Sequence, residues 1–321
     1  MNLAGRGQNV GLFVLSISRD DDIDPLHLES AAKARLLYLD GLSVEQSRAD
    51  WRFAVRDARR LAAAALRSSR LLTDIAGALE QNGGHALVFR QVLAPPVSQD
   101  QFKLICPSYS KAVENSGRSF PPASARAIAA AITRRLDSGV VAWGHRGAKP
   151  NRREVETFLR VASTLIGLQR LGTARRKRLS FEQEYAVTSM LDANGWVKLP
   201  SKLIDTRAAV PLRHYMQKTR FATATIAPQE VDIACGLKNS YVLAMECKVT
   251  NDETNSIKRI NDILKKATAW KQHWGSFVVT AALLQGVISA KDVQRLADAG
   301  VHVFWSHDMS TFKSWLDEQI I

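Results

Sequence analysis

The sequence predicts an α/β protein, with a mixed β-sheet flanked by helices in its C-terminal half and a mainly helical domain before it. Apolar positions in the first 150 residues recur mostly at helical spacing. Beyond residue 195, short β-branched segments alternate with helical segments. Positive charge is concentrated in the first half of the chain. We therefore expect a basic helical domain at 1–150 and a domain built around the sheet at 151–321.

Helical patterns account for most of the N-terminal half. Residues 27–82 are predicted to form helices. The first is indicated by apolar residues that fall on one face, and the second, over 49–79, by Ala, Leu and Arg at helical spacing. Ser98 begins a further helix, because Gln101 stands at the capping-box position. Another helix runs from Pro121 to Arg135. The segment 140–143 is predicted as a short strand, and 144–150 as a turn or linker.

The C-terminal half mixes helices and strands. Helices are predicted over 152–171 and 180–193, with a dense basic cluster at 174–178 between them. In the second of these helices, Phe181, Tyr185, either Val187 or Thr188, and Leu191 are expected to point inward. Two strands joined by a turn at 236–240 fill 230–249. They are followed by a helix over 256–274, a strand over 276–283, a helix over 290–299, a strand over 301–306 and a closing helix up to 319.

The net charge of +13 points to a polyanionic partner, either a phosphate backbone or an anionic membrane. Up to Arg178 the chain carries 28 Lys and Arg against 16 Asp and Glu, whereas the remainder carries 16 against 15. Most of the excess is Arg, whose planar fork binds phosphates and guanine edges with two hydrogen bonds. No apolar run approaches the roughly 18 residues of a membrane span. We therefore expect nucleic acid as the partner, with a solvated basic surface as the alternative.

Cysteine use and the N-terminus bear on location. The three cysteines include no Cys-x-x-Cys pair, which argues against a disulfide framework or a structural zinc site and fits the reducing cytoplasm. The apolar run at 8–17 lacks a basic leader and a small-residue cleavage site, so we interpret it as a strand or buried segment. The seven histidines form no zinc pattern, and the acidic run at 20–24 lacks the Gly and the closing Glu of a calcium loop.

One group of residues in the predicted hairpin is suited to metal-assisted hydrolysis. Residues two apart on a strand share a face, so Glu246 and Lys248 point the same way. Asp232, fourteen positions upstream, is brought beside Glu246 by the turn. Two carboxylates with water and phosphate oxygens suit Mg²⁺, and the lysine can orient or deprotonate the attacking water or stabilise developing charge. The alternative is the solvated face of an edge strand, but apolar neighbours such as Val242 and Ala244 favour a buried strand.

Asp232, the Glu246-Cys-Lys248 segment and the preceding helix with Glu184 together resemble the PD-(D/E)XK nuclease superfamily. The resemblance covers about 179–321. It implies a PD-(D/E)XK core in which Asp232, Glu246 and the backbone carbonyl of Cys247 hold Mg²⁺, for which Mn²⁺ can substitute. Glu184 would be the ancillary acid, with Glu182 as the second choice. Glu230 shares the face of Asp232 and could also reach the metal. The chain departs from the pattern at Val231, where the superfamily motif has proline.

Segments after the catalytic lysine, at 255–259, 270–275 and 302–308, resemble type II restriction endonucleases, and the XamI-like group in particular. This implies cleavage of double-stranded DNA at a specific sequence, leaves a homodimer open, and makes a cognate DNA methyltransferase a genetic partner rather than a stable subunit. We expect DNA contacts from the basic cluster and from the start of the helix after the catalytic strand: Arg175, Arg176, Arg178, Asn251, Asn255, Ser256, Lys258 and Arg259. Asn255 is alternatively the N-cap of that helix.

Two other functions remain open from the residues alone. A repair or junction-resolving nuclease would use the same fold and the same three residues, but it would cut without sequence readout. A non-catalytic DNA-binding protein would need only the basic helical half. The chain contains neither a Gly-x-x-x-x-Gly-Lys loop nor an Asn-Pro-Pro-aromatic motif, so we expect neither ATP-driven translocation nor DNA methylation by this chain.

Overall fold

A computed structural model describes residues 23–41, 43–145, 148–224 and 227–321. They form two compact units. One, the sheet unit, comprises the described residues up to Gly41 together with Leu179–Ile321, and the other, the helical unit, is Leu42–Arg178. The apolar run at 8–17 and the first residues of the acidic run at 20–24 lie outside the described residues. The functional division at residue 150 stays a prediction.

The helical unit is built around small and aromatic side chains. Helix α1, Pro25–Asp40, belongs to the sheet unit. The helical unit contains α2 Val44–Ser68, α3 Ile75–Gln81, α4 His85–Gln91, α5 Gln99–Ile105, α6 Lys111–Ser116, α7 Pro122–Thr133 and the first part of α8 Arg152–Ala193. Ala58, Ala62 and Ala65 on α2 are fully buried and pack in one cluster with Phe89 and Phe102. The prediction of a mainly helical N-terminal region is confirmed.

Local chemistry explains where two of these segments begin and end. The Ser98 hydroxyl accepts a hydrogen bond from the Gln101 N–H, and the Gln101 side chain accepts one from the Ser98 N–H, so the predicted capping box is present. The predicted strand at 140–143 is wrong. The carboxylate of Asp137 accepts hydrogen bonds from the N–H groups of Gly139 and Val140, which makes a turn, and a 3-10 helix follows at Ala142–His145.

The long helix α8 corrects two expectations. It runs without interruption for 42 residues, so the basic cluster lies within a helix rather than between two helices. Phe181 and Tyr185 are exposed, stacked on one another with ring centroids 5.9 Å apart, and do not point inward. Val187 and Leu191 on the same helix are fully buried. A helix presents one residue in three or four to its core, and here Val187 and Leu191 lie on that face.

The sheet unit contains a mixed sheet, as predicted, and this sheet has seven strands. Its strands are β1 Val197–Lys198, β2 Leu203–Ile204, β3 His214–Phe221, β4 Gln229–Gly236, β5 Val242–Thr250, β6 Val278–Gly286 and β7 His302–Trp305. The order is β1-β3-β4-β5-β6-β7, and β2 also pairs with β3. Strand β4 is antiparallel to β3 and β5, whereas the other neighbours are parallel.

Helices cover both faces of this sheet. The remaining helices are α9 Glu253–Trp274, α10 Ala290–Asp298 and α11 Met309–Glu318. The end of α8 and α11 pack on one face through Val187, Leu191 and Phe312. On the other face, α9 and α10 contribute Ile260 and Val293. No helix in the described ranges is both long and apolar enough to cross a membrane.

Candidate active site

The register of β4 and β5 brings Asp232 to Glu246. The ladder ends at the pair Ile233–Met245, so the next step along both strands places Asp232 opposite Glu246. There the Asp232 side chain takes the place of a backbone partner, because its Oδ2 accepts a hydrogen bond of 2.8 Å from the Cys247 N–H. The carboxylate is therefore fixed by the backbone of the strand that carries Glu246 and Lys248.

Glu246 is fully buried and binds two ammonium groups. Lys248 Nζ lies 2.5 Å from Glu246 Oε2, and Lys266 Nζ on α9 lies 3.0 Å from Oε1 and 2.9 Å from Oε2. Lys248 Nζ is also 3.7 Å from Asp232 Oδ2 and 3.7 Å from Asp262 Oδ2. The predicted acidic pair and lysine thus lie together, joined by Lys266 and Asp262.

Glu184 lies at the same site. Its carboxylate is almost fully buried, with Oε1 2.7 Å from Lys218 Nζ on β3, and the same ammonium is 2.6 Å from Asp232 Oδ1. Ser180 and Gln217 also donate hydrogen bonds to Glu184, over 3.2 Å and 3.4 Å. Glu182 is exposed, so the structure places Glu184 rather than Glu182 beside Asp232.

Glu230 does not share this environment. It is exposed and pairs in register with Arg220 on β3. Regular alternation would have put Glu230 and Asp232 on one face. The strand changes phase near Asp232, because Val231 and Ala234, three positions apart, pack into the same apolar cluster.

Burial and charge act in opposite directions on these groups. Burial disfavours the charged form of Asp232, but Lys248, Lys218 and the Cys247 N–H together hold its pKa below the usual value. Burial, with the nearby charge of Asp232, raises the pKa of Glu246 despite Lys248 and Lys266. Burial also disfavours charged Lys248, but the carboxylates of Glu246 and Asp232 outweigh it and raise its pKa. Lys248 is therefore a protonated donor at neutral pH.

The donor set fits a hard cation in its chemistry. Glu184, Asp232 and Glu246 offer oxygen atoms only, which is what Mg²⁺ requires. As the side chains stand, no group of three or more His, Cys, Asp and Glu within the described residues is arranged to hold a metal ion. The reason is visible in the ion pairs, since Lys218 bridges Glu184 and Asp232 while Lys248 contacts both Asp232 and Glu246. A metal would have to displace an ammonium group.

The predicted DNA contacts fall in two places. Arg175, Arg176 and Arg178 lie on α8 in the helical unit, where Arg176 and Arg178 are exposed and Arg175 is half-buried. Lys258 and Arg259 are exposed on the first turns of α9 in the sheet unit. Both positions present cationic groups at the protein surface.

The polar residues between β5 and α9 differ from expectation. Asn251 is exposed, as a surface contact requires. Asp252, not Asn255, is the N-cap of α9, and it accepts a hydrogen bond of 2.7 Å from the Asn255 N–H. The Asn255 side chain also donates to Asp252, over 2.5 Å. Ser256 is a wrong choice as a base-reading residue, because it is fully buried with its hydroxyl 3.4 Å from Asp292 Oδ2.

Sequence reasoning missed three charged residues of the site. Asp262 and Lys266 are four apart on α9, and a search for oppositely charged residues at that helical spacing would have found them. No comparable signal exists for Lys218, which lies in β3 with a left-handed backbone. Regular alternation does not predict where such a side chain points.

Comparison with known proteins extends over both units. The sequence profile of the XamI restriction endonuclease family matches residues 70–305, which include Glu184, Asp232, Glu246 and Lys248. The type II restriction enzyme XamI of Xanthomonas campestris pv. amaranthicola is 30% identical over 195 residues, which are 60% of this chain and 68% of that enzyme. Among solved structures, protein VC1899 from Vibrio cholerae aligns with a TM-score of 0.30 at 10% identity, over 83% of this chain and 57% of that one. A TM-score this low does not establish a shared fold.

Proposed function

The chain belongs to the XamI restriction endonuclease family, and from this membership we propose that it is a type II restriction endonuclease with a PD-(D/E)XK core. In this proposal it hydrolyses phosphodiester bonds of double-stranded DNA at a specific sequence in the presence of Mg²⁺. The observation that carries the proposal is the single cluster formed by Glu184, Asp232, Glu246 and Lys248 at the splayed ends of β4 and β5.

Asp232, Glu246 and the backbone carbonyl of Cys247 would hold Mg²⁺, with Mn²⁺ able to substitute. When bound, the metal supplies charge neutralisation at the scissile phosphate and lowers the pKa of a coordinated water. Glu184 is the ancillary carboxylate, because it faces Asp232 across the Lys218 ammonium.

The side chains of the chain itself have separable roles in this proposal. The Cys247 N–H fixes the rotamer of Asp232, and Lys266 holds both oxygens of Glu246, so the two carboxylates are oriented before DNA arrives. Lys248 is protonated and enclosed among carboxylates. It would donate a hydrogen bond to a phosphate oxygen, where negative charge develops as the bond breaks.

DNA binding is assigned to the basic surfaces. Arg175, Arg176 and Arg178 would contact phosphates, as would Lys258 and Arg259 near the N-terminus of α9, where backbone N–H groups favour anions. Asn251 and Asn255 are the exposed amides near the site that could read base edges. A homodimer would bring a second copy of the site to the other strand, since a two-fold partner matches a symmetric DNA sequence. A cognate methyltransferase would protect the host's own sites as a separate protein.

The test is digestion of sequenced, unmodified phage DNA with the purified chain and Mg²⁺, followed by sequencing of the ends. We expect discrete fragments whose ends share one flanking sequence, and no cleavage with EDTA or by Asp232→Asn. Ends without a shared sequence, or cleavage confined to branched DNA, would instead indicate a repair or junction-resolving nuclease. DNA binding without cleavage under Mg²⁺ or Mn²⁺ would indicate a non-catalytic binding protein.

A further inference from the structure

Lys218 has a backbone conformation that is uncommon for a lysine. Its φ is +52°, in the left-handed region, although it lies in the middle of β3. The register places it opposite Asp232, between the pairs Gln217–Ile233 and Thr219–Val231. Such conformations cost free energy and are retained where the surrounding structure holds them.

Both strands change phase at this position. Met216 and Phe221 on β3 pack into the same apolar cluster although they are five positions apart, and odd separations put side chains on opposite faces of a regular strand. On β4 the same change occurs between Val231 and Ala234. The paired irregularity allows the Lys218 ammonium to reach both Asp232 and Glu184.

The three lysines of the site differ in how they are held. Lys248 and Lys266 both bind Glu246, and their side chains are only 11% and 14% exposed. Lys218 instead forms ion pairs with Glu184 and Asp232, and its side chain is 57% exposed. An ammonium on a long exposed side chain can return to water at little cost to itself, and a bound cation would then neutralise the two buried carboxylates that it leaves.

We propose that Lys218 is a built-in cation that occupies the Glu184–Asp232 carboxylate pair in the absence of metal, and that a divalent cation binds by displacing it. The inference rests on the proposed function, because it assumes that Asp232, which the Lys218 ammonium contacts, is a metal ligand and that Glu184 is the ancillary carboxylate beside it. Lys218 prevents repulsion between the two carboxylates in the resting protein. The same contact lowers metal affinity, since the ammonium and the metal compete for the same oxygen atoms.

Mn²⁺ binding to the full chain without DNA tests this competition, with free Mn²⁺ measured by EPR. Lys218→Met removes the ammonium and keeps most of the side-chain length. Mn²⁺ should then bind about tenfold tighter or more, because it no longer has to break the ion pairs of Lys218 with Glu184 and Asp232, which water only partly screens. Lys265→Met is the matched control. Lys265 is exposed on α9 and changes the net charge equally, so it should leave Mn²⁺ affinity unchanged. Asp232→Asn should weaken binding.

Two outcomes separate this inference from the proposed function. If the wild type shows no Mn²⁺ binding that depends on Asp232, the proposed metal-dependent function fails and the inference fails with it. If Asp232-dependent binding is present but Lys218→Met leaves it unchanged or weakens it, the inference alone is overturned.

A measurement on the unsubstituted side chain covers the case in which Lys218→Met does not fold. Reductive methylation with ¹³C-formaldehyde keeps each lysine charged and labels it for NMR, and Lys218→Arg identifies the Lys218 resonance by its disappearance. Saturating Mg²⁺ should move that resonance to the position typical of solvated lysines such as Lys265. A Lys218 resonance that stays in place at saturating Mg²⁺ would show that the ammonium is not displaced and would overturn the proposal.

Discussion

The carboxylate of Asp232 accepts a 2.8 Å hydrogen bond from the backbone N–H of Cys247 one residue beyond the last ladder pair of β4 and β5. A side chain thereby satisfies a backbone donor that the departing strand has left without its ladder partner. Asp232 consequently has a structural task, as acceptor for Cys247, and a proposed chemical one, as metal ligand. Substitutions can separate the two.

Asp232→Asn should strongly lower cleavage while sparing the fold. The amide oxygen of Asn can still accept from the Cys247 N–H, but the negative charge for the metal is lost, so we expect cleavage to fall by about 10²-fold or more. Asp232→Ala removes the acceptor as well and should lower the free energy of unfolding by about 1–3 kcal/mol, as for an unsatisfied buried donor. Plasmid nicking and urea denaturation measure the two effects. Equal stability of both variants would contradict the structural task.

Lys248→Met should lower cleavage by about 10²-fold or more, because it removes the protonated donor between Asp232 and Glu246. DNA affinity should change little, since affinity arises mainly from basic surface contacts. Single-turnover cleavage and a binding assay in Ca²⁺ give the two quantities. Lys265→Met, with the same loss of charge on exposed α9, is the control. Near-normal cleavage by Lys248→Met would remove the catalytic assignment.

The sequence was sufficient for the parts of the site that obey regular strand geometry. Glu246 and Lys248 share a face because they are two apart, and the turn between β4 and β5 sets the register that brings Asp232 alongside. Lys218 could not be found in this way, because its left-handed φ and the change of phase in β3 depend on contacts with other elements. Local pattern rules describe a strand only as long as the strand is regular.

A run of charged residues does not interrupt the helix at 174–178. The sequence predicts that this cluster lies between two helices, whereas α8 continues through it. Arg and Lys are good helix formers, and only Pro or a capping Gly reliably ends a helix. The expected inward positions of Phe181 and Tyr185 failed because hydrophobicity does not fix which face of a helix meets the core.

The identity of the divalent cation should determine whether DNA that is bound is also cleaved. Mg²⁺ and Mn²⁺ should support cleavage, because each accepts an oxygen donor set such as Asp232 and Glu246 in compact geometry. Ca²⁺ should support DNA binding without turnover, since it is larger and takes longer, less directed bonds. Cleavage and binding measured in each cation after dialysis against EDTA test this. Full activity without any divalent cation would contradict it.

The helical unit has its own buried ion pair, which should contribute to stability. Arg90 and Glu114 are both buried, 3.0 Å apart, and Tyr109 donates a 2.5 Å hydrogen bond to the same carboxylate. Glu114→Gln leaves the guanidinium buried without its countercharge, so we expect the free energy of unfolding to fall by about 3 kcal/mol or more. Urea denaturation followed by circular dichroism measures the loss.

Glu156→Gln provides the matched comparison for that prediction. Glu156 pairs with Arg59 at the surface of the same unit, where the two side chains are 50% and 41% exposed. Water and salt screen such a pair, so its removal should change stability little. An effect as large as that of Glu114→Gln would show that burial does not distinguish the two pairs.

The basic cluster on α8 should set the salt dependence of DNA binding. Each phosphate contact releases condensed counterions, so the logarithm of the binding constant falls with the logarithm of salt by about 0.9 per contact. Replacing Arg175, Arg176 and Arg178 by Gln should therefore weaken binding to cognate and random duplexes alike. The slope should become shallower by about one unit for each arginine that binds a phosphate in the unsubstituted protein.

A second triple variant tests whether the position of the arginines or the net charge alone sets the salt dependence of DNA binding. Arg126, Arg134 and Arg135 are exposed at α7 and its C-terminal end in the same unit, and replacing them by Gln removes the same three charges. If the α8 cluster touches DNA, only its variant makes the slope shallower by whole units, because counterion release requires contact rather than a distant field. Equal slopes in both variants would show that net charge alone governs binding, and an unchanged slope in the α8 variant would show that Arg175, Arg176 and Arg178 face away from the duplex.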